Sequence, residues 1–478
     1  MPTKIKAILT NFSYVIGSNL LTVLVSSIVV LILPKVMGVE EYGYWQLYLF
    51  YLSYVGFLHL GWIDGIYLRY GGLDYNELEK DTFFSQFILL MLYLTLLGAL
   101  LLIGIPIFIR ESSLKFVYTL LTLTMLFTNI RFLFIYILQM TNRLKESSYI
   151  ISGDRLLYLV LLISFVVLGS RDFRVMVYAD LIGRIVSLGY ALYLCRDIAL
   201  SPFSKFKLDL KEVFLNISVG INLMVSNIAS MLIIGIVRMG IQKIWDIATF
   251  GKVSLTLSIS NLMMTFINAV GLVIFPLLKR TNPDNLPKIY ASLRNILMPL
   301  LFAILLFFYP LRMILNNWLP VYNDSLIFMA LIFPMSVYEG KMALLINTYL
   351  KALRMEKTIF LVNLFVMCCS FVSTVFTALW MKNLTLTVLS IVVLLALRSI
   401  IAEMCLSRRI SIDILTDIGF EILMTLLFIT ISWFLPIHTG FLAYLIVYIV
   451  YILLKLKDIK SVKQILISVS LPDNIENL

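Results

Sequence analysis

The residues of this sequence best suited to chemistry are charged side chains set inside long apolar stretches. Arg131, Arg155, Asp180 and Arg184 lie in the first half, and Glu339, Lys341, Arg398 and Glu403 in the second. Asp64 and Arg69 sit near the end of the second stretch, and Arg238 near the end of the seventh. Placing a charge at bilayer depth costs roughly 2.5–3.5 kcal/mol on insertion scales, so such groups face a bundle interior and mark transport pathways. An arginine fork matches phosphate oxygens, and several fixed cations suit a multiply charged anion. Arg131, Lys341 and Arg398 have no acid three or four residues away on the same helix, which makes them the strongest cavity candidates. Asp180 and Arg184 are four apart in the acid-first order of a helical ion pair, a geometry that serves structure or a site equally. Arg155 follows Asp154 close to a helix end and reads as a snorkelling structural residue. Asp64, Asp180 and Glu339 are the carboxylates that could couple to an ion, and His59 beside Asp64 makes a conceivable proton site.

These charges are few because the chain is overwhelmingly apolar. Of 478 residues, 61% are hydrophobic and 14% charged, against about 25% charged in an ordinary soluble domain. A soluble fold would have to hide nearly all its surface, which surface-to-volume scaling forbids. Fourteen apolar stretches are long enough to span a bilayer: 12–33, 44–66, 83–109, 114–140, 149–169, 173–196, 213–238, 248–278, 291–311, 325–350, 358–380, 384–408, 418–435 and 440–456. Their continuous rather than alternating character excludes an outer-membrane barrel. The expected fold is therefore all-α and polytopic. The split near Pro34 and the last pair, which could be a re-entrant hairpin, are its least marked boundaries.

Net charge is +11, but its placement argues against nucleic acid. With the N-terminus inside, Lys4, Lys6, Arg143, Lys145, Lys205, Lys207, Lys211, Lys279, Arg280, Lys351, Arg354, Arg408, Arg409, Lys455 and Lys457 all fall on cytoplasmic segments. That positive-inside bias places both termini in the cytoplasm and the basic flanks against anionic lipid headgroups. Lys4 and Lys6 lead into a run too long for a secretory signal, so it reads as the first span. Cys195, Cys368, Cys369 and Cys405 have no metal or redox spacing. No metal motif or phosphate-binding glycine loop appears, and no cofactor is expected.

Two places in the chain resemble each other. Asn11-Phe12-Ser13 precedes Gly17 and Asn19, as Asn216-Ile217-Ser218 precedes Gly220 and Asn222. One helix later stand Glu41-Tyr42-Gly43 and Thr249-Phe250-Gly251. Six spans separate the two starts, which implies a parallel repeat with a substrate site between its halves. The tenth span carries Pro334 and Gly340 around Ser336 and Glu339, a composition that breaks a helix and exposes its backbone.

Glu40-Glu41-Tyr42-Gly43-Tyr44-Trp45 after an opening helix, then Leu60-Gly61 and Arg69-Tyr70, resembles the polysaccharide repeat-unit flippases of the multidrug/oligosaccharidyl-lipid/polysaccharide exporter superfamily. The second half is similar, with Thr249-Phe250-Gly251 opening a helix that ends Ile274-Phe275-Pro276-Leu277-Leu278-Lys279-Arg280. The likeness covers roughly residues 1–410. It implies a six-helix bundle over 1–200, a second over 201–410, and two further helices with a tail over 411–478. It also implies transfer of an undecaprenyl-diphosphate-linked oligosaccharide across the bacterial inner membrane by alternating access, for surface polysaccharide synthesis. Partners would be that substrate, membrane lipids, and a polysaccharide polymerase with chain-length proteins.

On that resemblance Arg131, Arg184, Lys341 and Arg398 would hold the diphosphate. Asn19, Asn222 and the neighbouring Asn216, Asn227, Asn261 and Asn268 could bond sugar hydroxyls, although Asn also joins helices. The first span carries no Arg or Lys, unlike several relatives, so no phosphate clamp is carried over there. The alternatives are a cation-coupled multidrug exporter of the same superfamily and a lipid-linked glycan polymerase. The connectors are too short to form the large outer loop that a polymerase would need.

Overall fold

A computed structural model describes residues 2–279 and 286–470, with side chains over 13–264 and 286–458. All regular elements among them are helical, and no strand occurs there. In hydrocarbon each backbone N–H and C=O must be satisfied within its own segment, and a long apolar helix does this.

The chain divides into two compact units, Met1–Ile228 and Ala229–Leu478. In the first unit α1 (Pro2–Val36) is followed by α2 (Val39–Val55) and α3 (Trp62–Tyr70). Then come α4 (Lys80–Phe108), α5 (Ser112–Met140), α6 (Leu144–Val167), α7 (Phe173–Leu194) and the short α8 (Arg196–Ala199). The boundary between units falls inside α9 (Leu210–Ile244). The second unit continues with α10 (Ile247–Lys279), α11 (Leu286–Leu306), α12 (Phe308–Trp318) and the short α13 (Asn323–Leu326). An irregular span follows, made of α14 (Met329–Ile332), α15 (Met335–Lys341), a π-helical turn over Met342–Ile346 and α16 (Asn347–Ala352). The chain closes with α17 (Glu356–Thr374), α18 (Leu384–Ile410), α19 (Leu415–Phe434) and α20 (Ile437–Ser470).

Twelve helices, or helix runs, among the described residues are long and apolar enough to cross a membrane. The second expected span is a further, bent one: Val39–His59 and Trp62–Tyr70 meet at 58°. The eighth falls on α10, whose side chains beyond 264 lie outside the described residues. Pro34 lies inside α1 and does not split it. α19 and α20 are each long and apolar enough to cross a membrane as separate spans.

The bend has a local cause. Leu60 and Gly61 both take left-handed backbone, with φ of 57° and 78°, which a right-handed helix cannot continue. Glycine is also demanded by packing: a Cβ on Gly61 would lie 2.7 Å from the Ile221 nitrogen, and one on Gly65 1.8 Å from the Asn216 carbonyl oxygen. α3 thus touches the first half of α9 backbone to backbone.

In the first unit α1 packs on α6, α4 on α5, and α7 on both α5 and α6. The buried Trp62, Phe83, Leu90, Phe134 and Leu138 form part of one apolar cluster there. In the second unit α20 packs on α11 and α19, and α15 on α10 and α18. An edge-to-face aromatic group of Phe308, Tyr309, Phe428 and Tyr444 joins α12 to the last two helices.

Candidate functional site

Arg131 enters the core of the first unit from α5, where it is 4% exposed. Its Nη1 donates to Asp154 Oδ2 on α6 at 2.7 Å and to Ser187 Oγ on α7 at 3.0 Å. One helical turn away on α7, Asp180 and Arg184 form the intrahelical pair that their spacing allows. Arg184 Nε donates to Asp180 Oδ2 at 2.7 Å, and Nη1 reaches Thr128 Oγ1 at 3.2 Å. Tyr48 on α2 donates its hydroxyl to Asp180 Oδ2 at 2.8 Å. Arg155 lies 3.8 Å from both Asp154 and Asp180.

Arg131, Arg155 and Arg184 line a cavity of about 490 Å³ together with Asp154, Thr128, Tyr136 and Gln139. Three arginines face two aspartates, so the cluster carries one uncompensated positive charge. Such a cavity attracts an anion and repels a cation.

The motif that opens α2 holds this cluster in place. Glu41 accepts from the Phe173 backbone N–H at 2.8 Å and so caps α7. Buried Trp45 stacks on Tyr48 and Tyr158, while Tyr44 donates to Glu111. Arg155 is the residue that sequence reading assigned to structure and the fold sets on the cavity wall. Its adjacency to Asp154 hid this, since neighbours on a helix point about 100° apart.

The Lys341 side chain is 0% exposed, and its Nζ donates to Glu403 Oε2 at 2.5 Å and Glu421 Oε2 at 2.6 Å. Arg294 on α11 pairs with Glu403 at 2.8 Å and also with Glu421 and Asp417, and Lys455 on α20 reaches Asp417 at 2.5 Å. This network ties α11, α15 and α18 to the last two helices. Lys341, expected at the headgroup, is here an enclosed ammonium clamped by two carboxylates.

Arg398 is 4% exposed. It donates from Nε to Asn363 Oδ1 and from Nη1 to Glu339 Oε1, both at 2.9 Å. Glu339 is thus an arginine partner. Its span is irregular, with turns at Phe333 and Pro334 and a π turn after Lys341, but Met329–Ala352 runs as one span without a sharp bend.

Asn19 and Asn222 are exposed on α1 and α9 and are absent from the arginine cavity's wall. Asn227 and Asn261 are likewise exposed. Asn216 is fully buried and accepts from Arg69 Nη1 at 2.5 Å, which makes it helix glue rather than a sugar ligand. The side chains of Asn11, Asn268 and Ile274–Arg280, and those of Lys4 and Lys6, lie outside the described residues. The repeat's glycines differ in setting: a Cβ on Gly17 would meet nothing within 4 Å, whereas one on Gly220 would lie 2.0 Å from the Gly61 oxygen.

Asp64 and His59 meet across the bend, with His59 Nε2 3.7 Å from Asp64 Oδ2. His59 Nδ1 accepts the Gly61 N–H at 3.1 Å, so a neutral imidazole carries its proton on Nε2, toward the carboxylate. Among the described residues no group of three or more His, Cys, Asp or Glu side chains is placed to hold a metal ion.

No protein-family model matches the sequence, and neither does any curated protein. Solved structures do. The lipid II flippase MurJ in an inward closed conformation aligns at TM-score 0.65 with 14% identity, over 93% of this chain and 98% of that one. An inward-facing MATE-family multidrug resistance transporter of the MOP superfamily aligns at 0.63 with 12% identity, over 82% and 98%. A MATE transporter in complex with MaD3S aligns at 0.53 with 12% identity, over 82% and 93%. The chain therefore shares the all-helical fold of these solved structures.

Proposed function

We propose that this protein is a flippase that carries an undecaprenyl-diphosphate-linked oligosaccharide from the cytoplasmic to the outer leaflet of a bacterial inner membrane, for surface polysaccharide synthesis. The observation that carries this reading is the cavity walled by Arg131, Arg155 and Arg184, with its net positive charge. A diphosphate is the charged part of such a lipid, and desolvated guanidinium groups recognise it by paired, charge-assisted hydrogen bonds. The isoprenoid tail stays in hydrocarbon throughout, so only the headgroup needs a polar path.

Arg398, buried in the second unit beside Asn363 and Glu339, is assigned to the headgroup as well. Asn19 and Asn222, exposed on their helices, are assigned to sugar hydroxyls. Asp180 and Glu339 already hold arginines, so Asp64 with His59 is the better coupling carboxylate. Alternating access moves the headgroup, both termini stay cytoplasmic, and a polymerase with chain-length proteins receives the product.

The multidrug reading has the MATE likeness in its favour. A cavity of net positive charge disfavours organic cations, which supports the anionic-lipid reading. Purified protein in liposomes should move a fluorescent lipid-linked oligosaccharide between leaflets and leave a cationic dye gradient intact. Dye efflux without lipid transfer would establish the exporter instead. Chain extension from repeat units alone would establish a polymerase.

A further inference from the structure

The three arginines of the cavity are not equivalent. Arg131 and Arg184 each donate a 2.7 Å hydrogen bond to a buried aspartate, and their side chains are 5% exposed. Arg155 stands 3.8 Å from Asp154 Oδ2 through Nη2 and 3.8 Å from Asp180 Oδ1 through Nη1, beyond hydrogen-bonding reach. Its side chain is 26% exposed. The fork thus spans two carboxylates from different helices while bonded to neither.

We infer that Arg155 is the residue that captures the anionic headgroup, exchanging its loose contacts with Asp154 and Asp180 for two oxygens of a phosphate or diphosphate. Arg131 and Arg184 remain bound to those aspartates. They cancel the negative charge that would otherwise repel the ligand, and they fix α5, α6 and α7 around it. The positive charge left over belongs to Arg155, on a side chain that moves without breaking a hydrogen bond. A planar fork takes paired anionic oxygens, and a diphosphate offers more of them and more negative charge than a monocarboxylate does. The inference rests on the flippase reading, because it takes the same cavity as the headgroup site.

Calorimetric titration of the purified full chain with inorganic pyrophosphate at low ionic strength tests it, with acetate as the monocarboxylate arm. Wild type should bind pyrophosphate more tightly than acetate. Arg155→Gln should weaken pyrophosphate binding at least tenfold while its melting temperature stays at the wild-type value. Arg155→Lys, which keeps the charge and loses the fork, should fall between the two. Arg131→Gln removes the same charge but should lower the melting temperature, because Asp154 loses its 2.7 Å partner. If Arg155→Gln binds pyrophosphate as wild type does, or melts as low as Arg131→Gln, Arg155 is a structural residue and the inference fails while the flippase reading stands. If wild type itself binds no pyrophosphate, the cavity is not a diphosphate site and the flippase reading falls first.

Discussion

Arg131 on α5 and Asp154 on α6 form a 2.7 Å ion pair in which the arginine side chain is 5% exposed and the aspartate 1%. Removing one member of such a pair leaves a buried charge and costs about 3–5 kcal/mol. Arg131→Gln should therefore lower the melting temperature and abolish lipid translocation. Adding Asp154→Asn restores the cavity's net charge, so it should recover most of the thermal loss and part of the transport. Thermal recovery with no transport at all would mean that Arg131 itself contacts the headgroup.

Lys341 gives the opposite pattern. Its ammonium neutralises Glu403 and Glu421 in a closed network, so Lys341→Met should destabilise by a similar amount, about 3–5 kcal/mol. Glu421→Gln in the Lys341→Met background should restore part of that loss, and a double-mutant cycle on melting temperatures measures the coupling. Additive effects of the two substitutions would rule out the direct contact.

Backbone contact between α3 and α9 depends on absent side chains. A methyl group on Gly65 would sit 1.8 Å from the Asn216 oxygen, and one on Gly220 2.0 Å from the Gly61 oxygen. Gly65→Ala and Gly220→Ala should each cost about 3 kcal/mol or more, the upper end for overpacking. Gly17→Ala, with open space around it, should be silent. Size-exclusion profiles in detergent distinguish the two groups, and a monodisperse Gly65→Ala protein of wild-type stability would refute the close crossing.

Between the helices, Asp197 accepts the Tyr75 hydroxyl at 2.6 Å and pairs with Lys80 at 3.1 Å. Burial pushes its carboxyl up, but the Tyr75 and Lys80 bonds outweigh this and hold it below its ordinary value. A depressed carboxyl stabilises the fold above its unfolded value, about 3.9, and that gain disappears as pH falls through the folded value. The gap in melting temperature between wild type and Asp197→Asn should hold at about pH 6 and shrink below about pH 4. A gap that widened in acid would reverse the assignment.

The fold was legible because long apolar runs leave hydrocarbon-spanning helices as the one way to satisfy the backbone. Arg131 and Arg184 were legible for a related reason, as charge at depth stands out. The partners of Lys341 were not legible because they lie 62 and 80 residues along the chain, where no helical spacing rule reaches. Arg155 was hidden by its neighbour Asp154, although a helix turns the two to different faces. The bend at Leu60 carried only a glycine as its signal, and a glycine inside an apolar run has many explanations.

Translocation by purified protein in liposomes tests the central claim most directly. A lipid-linked oligosaccharide placed in one leaflet should reach the other with wild type. It should stay behind with Arg155→Gln, although that variant inserts and melts normally. Equal transfer by Arg155→Gln and by Arg184→Gln would show that the headgroup does not pass through the arginine cavity, and would contradict the account.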